Sequence, residues 1–319
     1  MTSEFELIER YFASLTPLGE GILQGPGDDC ARVRVPDGCE LAISIDTLVE
    51  DVHFLAGTDA ADIGWKSLAC GLSDLAAMGA SPSWCTLALT VPRADESWLA
   101  GFAEGFGAIA REYGMALVGG DVTRGRLTIS VQVAGHLRSG HALVRGGARS
   151  GDAVCVSGTP GEAAAGLARL QAGTAEAEDP LVRRLNRPTP RVALGARLAG
   201  RASACIDVSD GLAADLGHIL AASGVGARID LDALPASDAL RRAASDDATT
   251  LQQWILHGGD DYELCFCVPA DRLETLPHDD LATGLITVIG EIEQQAGLRA
   301  TRDGVTVELA DQGYRHFAN

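Results

Sequence analysis

The chain has 319 residues, room for about two domains of ordinary size, each with its own buried core. Its 25 basic side chains face 44 acidic ones for a formal net charge of −19, and Lys66 is the single lysine among them, which argues against a basic nucleic-acid-binding surface. No apolar run reaches the ~18 residues a membrane-spanning helix needs, and the acidic opening, Met1 to Arg10, is unlike a secretory signal, so a soluble cytoplasmic protein is expected.

The first element is an apolar, β-prone stretch over 40–46, read as a strand ending at Ser44-Ile45-Asp46. Ile63, Leu68, Leu72, Leu75 and Ala76 then recur with helical period up to Gly79. A second helix is marked by Trp98, Leu99, Phe102, Phe106, Ile109 and Tyr113, with Asp95 to cap it and Gly114 to stop it. A short strand over 115–118 runs into Gly119-Gly120-Asp121, and 127–133 alternates as a strand. Between 138 and 151 the pairs Ser139-Gly140, Gly146-Gly147 and Ser150-Gly151 crowd together. That places a domain junction there, dividing the chain into 1–138 and 149–319.

Beyond the junction, a strand over 153–156 enters Ser157-Gly158-Thr159-Pro160-Gly161, and a helix is expected over 162–171. Residues 174–179 read as a solvated loop, and Pro188 and Pro190 open a helix over 191–198. Strands are expected over 204–207, 227–231, 262–268 and 285–289, with a helix over 211–222. Strands and helices mix in both halves, as in two α/β or α+β domains.

Aspartate recurs where these elements end: Gly27-Asp28-Asp29, Ser44-Ile45-Asp46, Gly119-Gly120-Asp121, Asp207-Val208-Ser209-Asp210-Gly211 and Gly259-Asp260-Asp261. Asp74 instead interrupts an apolar helix, where an ionised carboxylate needs either water or a cation beside it. Oxygen ligands without clustered cysteine or histidine suit magnesium or calcium. The calcium helix-loop-helix signature is absent, which leaves magnesium and points toward a nucleotide. The eight cysteines are scattered without a Cys-x-x-Cys pair and read as small buried hydrophobes.

Gly119-Gly120-Asp121, Gly146-Gly147 and residues 157–161 are three turns whose N–H groups can face phosphate. No Gly-x4-Gly-Lys-Ser/Thr loop, Gly-x-Gly-x-x-Gly turn or Gly-x-Ser-x-Gly elbow is present. His53 adjoins the Ser44–Asp46 segment and is within reach of a substrate there.

Gly27-Asp28-Asp29-Cys30-Ala31, Ser44-x-Asp46-Thr47 with His53-Phe54, Leu72-Ser73-Asp74-Leu75-Ala76-Ala77-Met78-Gly79, Gly119-Gly120-Asp121-x-Thr123-Arg124, Asp207-x-Ser209-Asp210-Gly211 and Gly259-Asp260-Asp261-Tyr262-Glu263 come in the order seen in the thiamine-monophosphate kinase family. Gly313-Tyr314-x-His316-Phe317 resembles that family's C-terminus, so the resemblance spans essentially the whole chain. It implies an ATP-dependent kinase that phosphorylates thiamine phosphate to thiamine diphosphate. It also implies the two-domain aminoimidazole ribonucleotide synthetase-like architecture, α/β (α+β), with mixed sheets and helices packed on one face. Residues 1–138 would bind ATP and metal and pair into a homodimer, and 149–319 would form the C-terminal α/β domain.

Carried over residue by residue, the resemblance implies several magnesium ions at Asp29, Ser44, Asp46, Asp74, Asp121, Asp207 and Asp210. It implies ATP contacts from Gly120, Asp121, Arg145 and Ser209, thiamine phosphate contacts from His53, Asp260 and Tyr314, and catalytic weight on Asp46, Asp121 and Asp210. The chain departs from the family pattern at Ile45, where threonine is usual, and at Asp260, where glutamate is usual. The acceptor is a phosphate already ionised near neutral pH, so no general base is needed. The obstacle is repulsion, about 4 kcal/mol for two unit charges about 4 Å apart at an effective dielectric of 20, and direct transfer without a phosphoenzyme is expected. Two alternatives stand beside this: another ATP-using enzyme of the same superfamily, acting on a purine precursor or selenide, and a non-catalytic acidic metal or nucleotide binder.

Overall fold

Strict apolar alternation makes a sheet with one buried face, and helical periodicity makes the layer that covers it. The computed structural model describes residues 4–15, 21–245, 247–276 and 278–307. Described residues up to Leu75 together with Ala80–His141 form unit 1, and Ala76–Gly79 with those from Ala142 onward form unit 2.

In unit 1, α1 (Glu4–Tyr11) and the short strands β1 (Ile22–Gln24) and β2 (Arg32–Val33) precede β3 (Cys39–Val49). There follow α2 (Ala60–Ala77), β4 (Ser81–Val91), α3 (Glu96–Glu112), β5 (Ala116–Arg124) and β6 (Thr128–Arg138). The four-stranded sheet is ordered β3-β6-β4-β5, so β3 and β5 are its edges. Only β4 and β5 run parallel, and α3 is the crossover such a pair requires. One row of this sheet sets Asp46 opposite Val131 and Val131 opposite Leu87; the next sets Leu48 opposite Ile129 and Ile129 opposite Leu89. These apolar partners are buried, whereas the alternate residues Leu41, Ile43 and Ile45 are 39%, 55% and 66% exposed on the other face.

The helices bury Leu68, Leu72, Leu75, Leu99, Phe102, Phe106 and Ile109 almost completely, each worth about 1.5–3 kcal/mol over exposure. They approach closely because residue 105 is glycine: a Cβ there would come 1.8 Å from the Ala61 carbonyl oxygen. Asp95 caps α3 as expected, its Oδ1 accepting from the N–H groups of Ser97 and Trp98, a cap worth about 1 kcal/mol.

Unit 2 contains β7 (Ala153–Ser157), α4 (Glu162–Ala172), α5 (Pro180–Asn186), α6 (Val192–Leu198), β8 (Ala204–Val208), α7 (Leu212–Ser223) and β9 (Gly226–Asp230). It continues through α8 (Asp238–Ala243), α9 (Ala248–His257), β10 (Glu263–Val268), α10 (His278–Ala282), β11 (Ile286–Glu293), β12 (Gly297–Arg302) and β13 (Val305–Val307). Among the described residues the sheet has seven strands in the order β13-β12-β9-β11-β7-β10-β8. It is mixed, with β12 parallel to β9 and the remaining pairs antiparallel. Strands β7, β8 and β10 are buried at every residue. Val154 and Val156 join one apolar cluster with Leu216 and Ile219, and Cys155 joins another with Leu194 and Leu198.

Several expected strands run on, among them β11 to Glu293 and the two that carry expected ligands. The strand expected to end at Asp46 runs on to Val49, and the one expected to end at Val118 continues through Gly119-Gly120-Asp121 to Arg124. Neither aspartate therefore lies in a loop. Ladder pairing with β6 and β4 carries the chain straight through polar residues and glycines that locally read as stops.

Candidate active site

Register puts Ser44 and Asp46 on the buried face of β3, two residues apart along the strand, where they meet the covering helix α2. There the Ser44 hydroxyl donates to Asp74 Oδ2 at 2.5 Å. Burial, then the charge of Asp74 and a hydrogen bond shared between the two, together push the Asp46 carboxyl up to about 7. Asp46 Oδ2 is buried and accepts no hydrogen bond among the described residues. Two carboxylates are thus pressed together in a partly desolvated place, which is stable only if a proton or a cation joins them. Asp74, anomalous in an apolar helix by sequence, is turned toward these strand oxygens.

The other expected ligands of unit 1 are not gathered there. Asp29 is exposed, its N–H donating to Asp28 Oδ1 at 2.9 Å. Asp121 is exposed on edge strand β5 opposite Ala88, on the sheet face away from Asp46. Among the described residues, no three His, Cys, Asp or Glu side chains converge closely enough to hold a metal ion. His53 Nδ1 accepts from the Val49 N–H at 3.0 Å, which leaves Nε2 to carry the proton of the neutral ring. The lone lysine, 3% exposed, donates from Nζ to the His53 carbonyl at 3.1 Å. Sequence gave no sign of this anchor beyond the rarity of the residue.

Unit 2 gathers its own set around the turn after β8. Asp207 is buried at the end of that strand, and Ser209 and Asp210 follow, partly exposed. Gly211 opens α7 with φ of 116°, and a Cβ there would lie 3.0 Å from His257 Cα, so only glycine fits. Asp260 stands beside this turn, its N–H donating to the Ser209 carbonyl at 2.9 Å and its Oδ1 accepting from the Tyr262 hydroxyl at 3.0 Å. Arg145 is exposed. Tyr314, with Gly313, His316 and Phe317, lies outside the described residues.

The three turns expected to cradle phosphate are corrected. Gly119-Gly120-Asp121 is part of β5. The N–H groups of Gly147 and Ala148 donate to the Ser223 hydroxyl, each at 3.1 Å. At the start of α4 the N–H groups of Gly161 and Ala163 donate to Asp261 at 2.6 and 3.2 Å. Asp261 and Glu263 are fully buried. Burial pushes Asp261 up to about 7 against the pull of its two donors and Arg184. Burial also pushes Glu263 up, but Arg184 and Arg191 outweigh it and hold that carboxyl below its ordinary range. Arg191 grips Glu263 with two bonds of 2.6 Å, and Arg184 and the Ser157 hydroxyl complete the cluster.

Comparison with known proteins gives one consistent picture. Residues 27–137 match the model of the AIR synthase related protein N-terminal domain, and 149–303 that of the C-terminal domain. A thiamine-monophosphate kinase of Salmonella typhimurium is 48% identical over 99% of this chain and 98% of its own. The crystal structure of a thiamine-monophosphate kinase from Stenotrophomonas maltophilia is similar with a TM-score of 0.87 and 46% identity, covering 96% of this chain and 98% of that one. AaThiL complexed with AMPPCP and TMP is similar with a TM-score of 0.79 and 32% identity over 89% of each chain.

Proposed function

Since the chain belongs to the thiamine-monophosphate kinase family of AIR synthase related proteins, we propose that this kinase passes the γ-phosphoryl group of ATP to thiamine phosphate. The transfer is direct and in line, is assisted by magnesium, and yields thiamine diphosphate as the last step of that cofactor's synthesis. The observation that carries this reading is the Asp46–Asp74 pair, two carboxylates sharing a hydrogen bond with one buried oxygen left without a donor. An oxygen-only set of this kind fits a hard divalent cation.

Ser44, Asp46 and Asp74 would hold magnesium, with Asp29, Asp121, Asp207 and Asp210 as the further ligands. Bound there, magnesium supplies the positive charge that lets two phosphate groups approach each other. The acceptor needs no base, so the protein's task is to orient both substrates and exclude water. Gly120 contributes a backbone contact to the nucleotide; strand pairing already demands glycine there, since a Cβ would lie 2.0 Å from the Leu87 carbonyl oxygen of β4. Asp121, Ser209 and the exposed guanidinium of Arg145 complete the ATP contacts. His53, through Nε2–H, holds thiamine phosphate together with Asp260 and Tyr314. Asp260 is fixed by Ser209 and Tyr262, which supports a direct contact despite its short side chain.

The enzyme works as a cytoplasmic homodimer. Two features support the dimer: the exposed apolar row Leu41, Ile43 and Ile45 on edge strand β3, and the separation of Asp46 from Asp121 on opposite faces and edges of one sheet. A second copy laid on that apolar face would cover the row, and its β5 edge beside β3 would bring a second Asp121 to the edge that carries Asp46. Incubating the protein with ATP, magnesium and thiamine phosphate tests the reading. Thiamine diphosphate and ADP are expected in equal amounts; no product, or a phosphorylated side chain turning over at the catalytic rate, overturns it.

A further inference from the structure

Asp215 belongs to none of the contacts assigned above. It is 2% exposed, and its Oδ2 alone accepts the backbone N–H groups of three successive residues, Ser209 at 3.0 Å, Asp210 at 3.1 Å and Gly211 at 3.2 Å. It sits in the first turn of α7 and folds back over the turn that opens the helix, where the backbone dipole favours negative charge. The same turn is pinned from its other side, the Asp260 N–H donating to the Ser209 carbonyl and the Tyr262 N–H to the Val208 carbonyl. All three N–H groups that would otherwise form an anion nest are thus used internally, and what the turn still offers outward is the side chains of Ser209 and Asp210, both partly exposed.

We infer that Asp215 is the positioning residue of this turn, fixing its backbone so that the Ser209 hydroxyl and the Asp210 carboxylate are aimed at the magnesium-bound nucleotide. The inference rests on the function proposed above. A carboxylate suits the task because charge-assisted bonds to N–H donors are about twice as strong as neutral ones, and an apolar side chain would leave buried donors unsatisfied.

The test is calorimetric binding of AMPPCP with magnesium to the full chain, alongside its melting temperature and steady-state kinetics. Asp215→Ala is expected to weaken AMPPCP–magnesium binding about 10- to 100-fold, the range seen when a group that orients a metal ligand is removed. The KM for thiamine phosphate should move far less. Asp215→Asn, which keeps an acceptor and loses the charge, should fall between wild type and Asp215→Ala. Asp179→Asn is the control for mere destabilisation: Asp179 is 7% exposed, accepts the Leu181 N–H and pairs with Arg169 in the same unit. It should lower the melting temperature and leave AMPPCP binding unchanged. Unchanged binding by both Asp215 variants overturns the inference, and so does weakening matched by Asp179→Asn. If Asp215→Ala fails to fold, Asp215→Asn decides alone by the same criterion. Failure of the wild type itself to bind AMPPCP with magnesium would instead strike the reading of the site on which this rests.

Discussion

In unit 1 the carboxylates of Asp46 and Asp74 lie against each other and Asp46 Oδ2 accepts no hydrogen bond among the described residues. In unit 2 the buried carboxylates of Asp215, Asp261 and Glu263 each meet two or more N–H donors. Burial raises Asp46, Asp215 and Asp261 alike to about 7, so the raised value alone does not tell a ligand site from a brace. The donors do. A carboxylate whose oxygens are already engaged has its work inside the protein, holding a turn or a helix start. One pressed against another carboxylate with an oxygen to spare is arranged for something that arrives.

The largest effect expected from this difference is on stability, at the brace. Glu263→Ala takes from the partly buried guanidinium groups of Arg184 and Arg191 the fully buried carboxylate they share, and losing one partner of a buried ion pair costs about 3–5 kcal/mol. Urea unfolding of the full chain measures it. A loss below about 1 kcal/mol, the range of a surface pair, would put the cluster in water and dissolve the contrast.

Asp46→Asn should do the opposite. Removing one of two like charges relieves repulsion, so the metal-free protein at pH 8 should unfold at higher urea, by about 1 kcal/mol. Turnover should fall by at least about 100-fold, equivalent to about 2.7 kcal/mol of barrier, and magnesium, which should stabilise the wild type through linkage, should no longer do so. A variant that loses both stability and activity would make Asp46 a brace like those of unit 2.

Much of this was legible in the sequence, and the part that was not has a physical reason. Periodicity placed α2 and α3 within one or two residues, because their apolar faces are long and regular, and α7 begins and ends within a residue of the helix expected over 211–222. Asp74 stood out because a charge in an apolar helix demands an explanation whatever the fold. The strands around Asp46 and Asp121 were cut short because local signals cannot see a ladder partner more than eighty residues away, such as Val131 opposite Asp46. The short helices α1, α5, α8, α9 and α10 were missed for want of a long period. The phosphate cradles failed for a related reason: Gly161 and Ala163 look free locally, and the carboxylate that takes their N–H groups comes from Asp261, about a hundred residues on. Glycine-rich turns announce available donors, and only the fold says whether the protein has already used them.

The subtlest signature expected lies in the pH profile, and it is also the most discriminating, because Asp261 and Glu263 sit two residues apart and are shifted in opposite directions. Asp261 is raised by folding from 3.8 to about 7. Between those values the native state keeps a proton the unfolded chain has lost, so stability falls as pH rises from about 4 to about 7, by at most about 1.4 kcal/mol per pH unit. Glu263 is lowered from 4.5; its contribution is whole above that value and is lost as pH falls through the native one. Stability of the metal-free protein against pH should therefore decline on both sides of a maximum near pH 4 to 5. Asp46 and Asp215, raised in the same way, contribute to the neutral limb as well, so Asp261→Asn should make that limb shallower by the share of one group and leave the acid limb in place. If it leaves the neutral limb unchanged, Asp261 is ionised throughout, and the N–H groups of Gly161 and Ala163 with Arg184 outweigh its burial, as the two arginines do for Glu263.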